Sequence, residues 1–256
     1  YPREPRTHMP PPSHDQQAIL HKPPTTTADE VQYLLRAANH EFPTAQLTEA
    51  DVIATFAGVR PIVSSSKGLD PSKERRDHAV WADHGMISVS GGKLTTFRQI
   101  AQDVLTQAEK WLPQLSSRDH KAPVFHPYTG SKPLAHLSDE TNRRFLGKFG
   151  QLTPRFLDTM PATELSLIPE TQTLWAEIRW ALREEQVVHL DDLMLRRTRL
   201  GLLLAQGGKE HMPRIHDIAL SEGWTEAQWQ TELERYDAIW QRYYSLPPHR
   251  PIASAA

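Results

Sequence analysis

Phe56 to Arg98 carries three sets of positively charged groups whose types and spacing suit an anion. The first is Gly58-Val59-Arg60-Pro61. The glycine before Arg60 and the proline after it set an unusual backbone path, and an arginine at a strand end offers a two-pronged donor to phosphate or carboxylate. A surface arginine in a weak ion pair fits the same local sequence. The second set is Lys73, Arg75 and Arg76, interspersed with Glu74 and Asp77, and a solvated charged loop accounts equally for the first two. The third is Gly91-Gly92-Lys93-Leu94-Thr95-Thr96. Glycines between a strand and a helix let backbone approach a ligand closely. A helix start adds unpaired N–H groups and the positive end of the dipole. Lys93 adds a full charge, and Thr95 can cap. The turn suits an anion or an electron-rich ring edge, although a purely structural turn with an exposed lysine has the same pattern. The spacing of a P-loop, GxxxxGK[ST], is absent.

The elements that must position these groups follow from pattern. Thr27 and Glu30 form a capping box, and Val31, Leu34, Leu35 and Ala38 follow at helical spacing towards His40. Val52 to Val63 reads as a strand, with irregularities at Gly58 and Pro61. Ser64 to Arg76 reads as a polar loop. His78 to Trp81 and Met86 to Ser90 read as strands joined by a turn at Asp83-His84-Gly85. From Thr95, the residues Phe97, Ile100, Ala101, Val104, Leu105, Ala108, Trp111 and Leu112 predict a helix with one long buried face.

Beyond Pro133 the chain changes to helical periodicity. A helix is expected over 140–152, and Leu174, Trp175, Ile178, Ala181 and Leu182 share a face. Leu193, Leu195, Leu200, Leu203 and Leu204 predict another helix, with Arg196-Arg197-Thr198-Arg199 on it. Arg197 there can pair with Asp191 or Asp192, or stand as a helix-surface charge. Ile215, Ile218 and Ala219 mark a helix closed by Gly223. Thr225 and Gln228 form a second capping box ahead of the stripe Trp229, Leu233, Tyr236, Trp240 and Tyr243. The expected organisation is a Pro-rich, disordered 1–24 holding seven of the 21 prolines, a first domain 25–113, a linker 114–133 and an all-helical domain 134–256.

Composition narrows the function. A formal net charge of −2 argues against a general polyanion binder, so no nucleic acid is expected and any anion site must be local. The absence of cysteine removes disulfides and thiolate chemistry. The 13 histidines show no HExxH-like spacing, and no metal site is expected. No G-x-S-x-G hydrolase signature is present. There is no signal-peptide pattern and no apolar run of bilayer length.

GVRP, about thirty residues, and then GGKLTTFRQIAQDV resembles the FAD-dependent glycerol-3-phosphate dehydrogenases, flavoproteins of the D-amino-acid-oxidase-like class. The later LDDLMLRRTRLGLLL, Leu190 to Leu204, resembles part of that family's helical C-terminal domain, and the likeness runs from Thr27 to Tyr244. The resemblance implies an α+β fold: the C-terminal part of a FAD/substrate-binding domain, then an all-helical C-terminal domain. It implies oxidation of sn-glycerol 3-phosphate to dihydroxyacetone phosphate by hydride transfer to FAD, with electrons passed to quinone. A related branch uses oxygen. Arg60 falls where the family places a substrate-phosphate arginine, and Arg76 where it places a second substrate-facing one. Gly91, Gly92, Lys93, Leu94 and Thr95 resemble the loop at the flavin pyrimidine edge. The location implied is the cytoplasm, free or peripheral on the inner face of the membrane.

The chain also departs from the family pattern. It starts at Tyr1, the family's members are about twice as long, and the G-x-G-x-x-G strand–loop–helix that binds the FAD pyrophosphate has no counterpart here. The Pro-rich 1–24 stands where a strand is expected. The chain is therefore expected to be the C-terminal half of a longer protein and inactive alone, with its catalytic base unidentified. A binding module that keeps the helical cap without the chemistry is the alternative from another class.

Overall fold

The computed structural model describes residues 23–58, 78–125 and 134–248. The chain divides into two compact units, Val59–Pro127 and the combination of Tyr1–Gly58 with Tyr128–Ala256. Residues 23–58 thus group with the helices, whereas the expected division put 25–113 in one domain. Residues 1–22, most of the Pro-rich stretch, lie outside the described residues.

In the smaller unit, β1 (His78–Asp83) pairs antiparallel with β2 (Met86–Gly91) in the register Asp83↔Met86 to His78↔Gly91. His84 and Gly85 form the two-residue loop with φ of 49° and 78°. Two positive φ values match the twist of a hairpin, which explains a glycine at the second position. A helix, α1 (Phe97–Ala108), packs back on the hairpin. His78 Nε2 lies 2.7 Å from Asp103 Oδ2, and Gln99 Nε2 donates to the other oxygen of Asp103 at 2.9 Å.

The expected linker is more ordered than its composition suggests. Pro113–Ser117 forms a 3-10 turn. Arg98 Nη2 donates to His120 O and Ala122 O, while Arg118 Nη2 donates to Thr106 Oγ1 at 2.8 Å and Arg118 pairs with Glu109. Arginine side chains thereby strap 113–122 onto α1. The part of the linker at 126–133 lies outside the described residues. The long buried face expected for α1 is not buried: Phe97, Leu105, Trp111 and Leu112 are exposed, and no described residue of this unit is fully buried. Among the described residues of this unit, one helix on a two-stranded ribbon has too little surface to enclose a core.

In the larger unit, α2 (Ala28–Glu41) starts with the expected capping box: Thr27 Oγ1 accepts from Glu30 N at 3.3 Å, and Glu30 Oε2 accepts from Thr27 N at 2.8 Å. The strand expected from Val52 does not form over Val52–Gly58, which runs as irregular backbone; the remainder, 59–63, lies outside the described residues. Among the described residues, no strand pairs with the β-branched residues there. Instead Thr55 N donates to Tyr244 O at 2.8 Å and Thr55 Oγ1 to Ser245 O at 3.1 Å.

The helices that follow are α3 (Asp139–Phe149), α4 (Thr153–Thr159), α5 (Trp175–Glu184), α6 (Leu200–Leu203), α7 (Met212–Ser221) and α8 (Glu226–Tyr243). The central element is α5, whose residues Trp175 to Ala181 are all buried. Trp175, Ile178 and Ala181 join a core with Leu190, Leu193, Ile215, Tyr236 and Trp240. Ala176 and Trp180 join a second, with Phe145, Phe149 and Phe156. The Phe149 and Phe156 rings lie 4.5 Å apart and Trp180 meets Phe156 at 5.2 Å, a separation at which tilted rings attract.

A helix buried on all sides must neutralise its charges. Glu177 pairs with Arg144 and, at 3.0 Å, with Lys148, and it accepts from Leu174 N at 2.9 Å. Arg179 makes a two-pronged pair with Glu164, at 2.8 and 2.6 Å, and also binds Glu222 and Ser221 Oγ. The hydrogen bond it donates to Glu164 is the leading reason that the Arg179 guanidinium is held even more firmly protonated than usual.

The continuous leucine helix expected across 193–204 is broken. Asp192–Arg197 is a π-helical turn, Arg199 takes a left-handed φ of 61°, and α6 is a single turn. Thr198 explains the break: its N–H reaches Leu193 O at 3.0 Å, one residue beyond the α-helical reach, and its Oγ1 donates to the same carbonyl at 2.6 Å. Gly223 closes α7 as expected. With φ of 95° it donates to Leu220 O while Trp224 N donates to Ala219 O, both at 3.1 Å, the Schellman pattern. Thr225 Oγ1 accepts from Gln228 N at 3.1 Å to start α8.

Candidate functional site

The Gly91–Thr95 turn lies wholly in the smaller unit, where β2 hands over to α1. Gly91 and Gly92 both have left-handed φ, 79° and 81°. A Cβ on Gly92 would sit 2.5 Å from Ile100 Cδ1 and 3.2 Å from His78 Cβ. The second glycine is therefore required twice, by its backbone and by the close packing of α1 on β1. Lys93 is extended (φ −130°, ψ 151°) and leads into a 3-10 turn, Leu94–Thr96, which runs on into α1.

The capping residue differs from the one expected. Thr96, not Thr95, closes the turn: its N–H and its Oγ1 both donate to Lys93 O at 3.0 Å, and its Oγ1 accepts from Lys93 N at 3.3 Å. Two adjacent threonines look alike in sequence, and the 3-10 start decides between them. Lys93, Leu94 and Thr95 are exposed, Leu94 to 89%. The turn thus presents an ammonium and the first N–H groups of a helix to the surface, a combination that attracts negative charge. His78, Asp103 and Gln99 hold the helix start against the hairpin. Sequence reasoning missed these supporting residues, because nothing in their spacing reveals a contact across a turn. Arg60 and Arg76 lie outside the described residues.

The larger unit contains a second constellation of charge. Asp191, 2% exposed, is clasped by Arg196 and Arg235, and Arg196 also reaches Asp192 Oδ1 at 2.7 Å. The expected partner Arg197 is exposed; Arg196 pairs instead, because the π-helical turn resets the register of the arginines. Burial works to raise the Asp192 carboxyl, but N–H donors from His189 and Val188 and the charge of Arg196 more than offset it, so the carboxyl sits below its usual range. The hydrogen bond that Arg196 donates to Asp191 is the leading cause that holds its guanidinium more firmly protonated than usual. Glu232 accepts from Leu190 N at 3.0 Å and meets His189 Nδ1 at 2.9 Å. Asp191, Arg196 and Arg235 border a cavity of ≈ 250 Å³, whose wall also includes Pro24, Ala57 and Tyr244. Every carboxylate there has a cationic or N–H partner, so the cluster reads as a neutralised joint between elements rather than as a reactive centre. Among the described residues, no group of three or more His, Cys, Asp or Glu can hold a metal ion, and no helix is long and apolar enough to cross a membrane.

Comparison with known proteins adds an independent line. Residues 86–229 match the family model described as the C-terminal domain of alpha-glycerophosphate oxidase. The chain is 26% identical over 238 residues to mitochondrial glycerol-3-phosphate dehydrogenase of Mus musculus, covering 82% of this chain and 32% of the relative. It is 28% identical over 232 residues to glycerol-3-phosphate dehydrogenase 2 of Mycobacterium tuberculosis, covering 84% of this chain and 39% of the relative. It is 27% identical over 199 residues to aerobic glycerol-3-phosphate dehydrogenase of Staphylococcus epidermidis, covering 68% and 35%. The chain thus spans between about a third and two fifths of the length of these relatives. No solved structure matches it. The family match takes in β2, the glycine–lysine turn, α1 and the helices through the start of α8, and on it the chain belongs to the family of the C-terminal domain of alpha-glycerophosphate oxidase.

Proposed function

We propose that this chain takes part in the oxidation of sn-glycerol 3-phosphate to dihydroxyacetone phosphate, with FAD as the hydride acceptor. The observation that carries the reading is the Gly91–Thr96 turn lying within a family match whose relatives are named glycerol-3-phosphate dehydrogenases. The turn suits a flavin edge: Lys93 is exposed, and the helix start offers N–H groups. When bound, FAD supplies an electron sink for the hydride from substrate C2. Lys93 and the N–H groups of the turn favour the negative charge that then spreads over the pyrimidine edge, a preorganised electrostatic contribution. Arg60 and Arg76 hold the substrate phosphate, which needs fixed cationic donors.

Quinone is the proposed electron acceptor, and the proposed location is the cytoplasm, free or peripheral on the inner face of the membrane. Oxygen is the second reading, supported by the oxidase in the description of the matching family. The chain, joined to the N-terminal half of a glycerol-3-phosphate dehydrogenase relative, is titrated with FAD and then with glycerol 3-phosphate under anaerobic conditions. Stoichiometric binding and bleaching of the flavin band is the outcome expected of the joined protein, with no bleaching by the chain alone. A joined protein that binds FAD but is not bleached by glycerol 3-phosphate refutes the proposal. Peroxide release in air, set against reduction of a soluble quinone, separates the two acceptors.

A further inference from the structure

The glycine–lysine turn moves as one piece with the helix that it starts. Thr96 N and Oγ1 both donate to Lys93 O at 3.0 Å, so Lys93 and the first N–H groups ride on α1. Behind them stand Gly91 and Gly92, both at left-handed φ, and their permissive backbones do not by themselves set a direction for the helix. The direction is set from the neighbouring strand. His78 is the cross-strand partner of Gly91, and its Cβ is 3.2 Å from the place where a Cβ on Gly92 would begin. Its ring reaches on to α1, where Nε2 lies 2.7 Å from Asp103 Oδ2. A carboxylate only accepts, so Nε2 carries the hydrogen. Gln99 Nε2 donates to Asp103 Oδ1 at 2.9 Å, which holds the second oxygen and orients the carboxylate.

Two features make this bond more than a surface ion pair. It is partly shielded, with the His78 side chain 18% exposed. It also acts where apolar burial is thin, since no described residue of this unit is fully buried and Phe97 and Leu105 of α1 are exposed. Asp103 lies two turns into α1, about 9 Å along the axis from Phe97. A water inserted into the bond would lengthen that gap by about 2.8 Å. Over a lever of about 9 Å the axis then turns by roughly 15–20°, the limit within which a preorganised site keeps its geometry.

We infer that Asp103 is a positioning residue: through His78 it fixes the direction of α1, and with it the aim of Lys93 and the helix-start N–H groups at the flavin edge. The inference rests on the flavin-edge role proposed above for the turn. Fixed dipoles stabilise developing negative charge without a reorganisation cost, whereas a swinging helix must be aimed again at each reduction. Loss of the bond therefore lowers the potential of the flavin without removing any group that touches it.

The test uses the chain joined to the N-terminal half of a relative and loaded with FAD. Asp103→Leu and His78→Phe break the bond from either side, and Asp103→Asn keeps an acceptor for His78. Amide exchange of residues 96–103, read in the chain without FAD, is measured beside the potential of bound FAD. Each breaking change is expected to speed exchange about threefold to tenfold. Each should disfavour flavin reduction by a similar factor, about 15–30 mV more negative for a two-electron couple. The two changes together should do little more than either alone, and Asp103→Asn should stay near the unaltered protein. The sign for Asp103→Leu is decisive, because loss of a carboxylate acting by its charge alone would ease reduction; a potential that rises overturns the inference. Unchanged exchange, or faster exchange with an unmoved potential, overturns it as well. Because the bond can be broken from the strand or from the helix, a variant that fails to fold leaves the other to decide. Lys93→Met is measured alongside. A potential unmoved by Lys93→Met overturns the flavin-edge reading and this inference with it, whereas one moved by Lys93→Met and not by His78→Phe overturns the inference alone.

Discussion

The buried ion pair between Arg179 and Glu164 makes the sharpest claim about what holds the helical unit together. Arg179 is 9% exposed, on a helix whose every side is covered. Replacing it with methionine keeps most of the side-chain volume and removes the charge. Two carboxylates then lose a partner, but unequally. Glu222 keeps Arg183, which donates from Nε at 2.5 Å and Nη2 at 2.7 Å. Glu164, with a side chain 10% exposed, loses both of its donors at 2.8 and 2.6 Å. Removing one member of a buried pair costs about 3–5 kcal/mol, since the survivor is left charged and unpaired. Because only Glu164 is stranded, the lower end of that range, about 3 kcal/mol, is expected for Arg179→Met.

The companion change Glu164→Gln separates the mechanisms. If the stranded charge is the cause, the double variant should recover at least about 1.5 kcal/mol relative to the sum of the single changes, a coupling typical of residues in one network. If lost packing is the cause, the two effects add. Urea unfolding followed by tryptophan emission reads the unit directly, since Trp175, Trp180, Trp229 and Trp240 are all buried in it. A cost below about 1 kcal/mol for Arg179→Met, or additivity in the cycle, would refute the argument.

Three further outcomes follow from the same geometry. Gly92→Ala should loosen the hairpin unit by about 2–4 kcal/mol, combining a left-handed penalty of ~1–2 with crowding against Ile100, and amide exchange across β1 and β2 should rise accordingly; exchange equal to the parent chain would contradict the clash. Burial opposes the Glu222 carboxylate, but Arg183 and Arg179 hold its carboxyl below the ordinary value, so the stability it contributes is present above about pH 4.3 and lost as pH falls below that. Glu222→Gln should flatten the acid limb of the stability curve, and an unchanged limb would assign that limb elsewhere. Lys93→Met should make the potential of bound FAD more negative and slow its reduction by about tenfold or more, with glycerol 3-phosphate affinity intact; an unmoved potential removes Lys93 from the flavin edge.

What the sequence revealed, and what it hid, divides by the range of the forces involved. The capping box at Thr27, the hairpin turn at Asp83-His84-Gly85, the glycine stop at Gly223 and the stripe from Trp229 to Tyr243 are local patterns, and each has its structural counterpart. The expectations that failed depend on what lies across from a segment. Val52 to Gly58 has strand-forming residues and no strand to pair with, and its donors go to Tyr244 and Ser245 instead. The leucines after Asp192 have helical spacing, but Thr198 captures Leu193 O and a π-helical turn results. Glu177 and Arg179 lie outside the face predicted from Leu174, Trp175, Ile178, Ala181 and Leu182, yet both are buried. Their charges are met by partners 15 to 43 residues distant, which no window of periodicity contains.

The glycine–lysine turn shows why a motif can be legible before its purpose is. Gly92 is demanded by a left-handed backbone and by Ile100 alone, with no ligand invoked. Its presence therefore cannot weigh for or against a flavin. Thr96 is likewise occupied with closing the 3-10 turn. Lys93 is different: its backbone joins the turn, whereas its side chain is exposed and, among the described residues, is not one of those that hold α1 to the hairpin. A residue that the fold does not need is the one whose replacement reports on function. The family match says which chemistry to look for, and Lys93 is the position in the turn where structure and chemistry can be told apart.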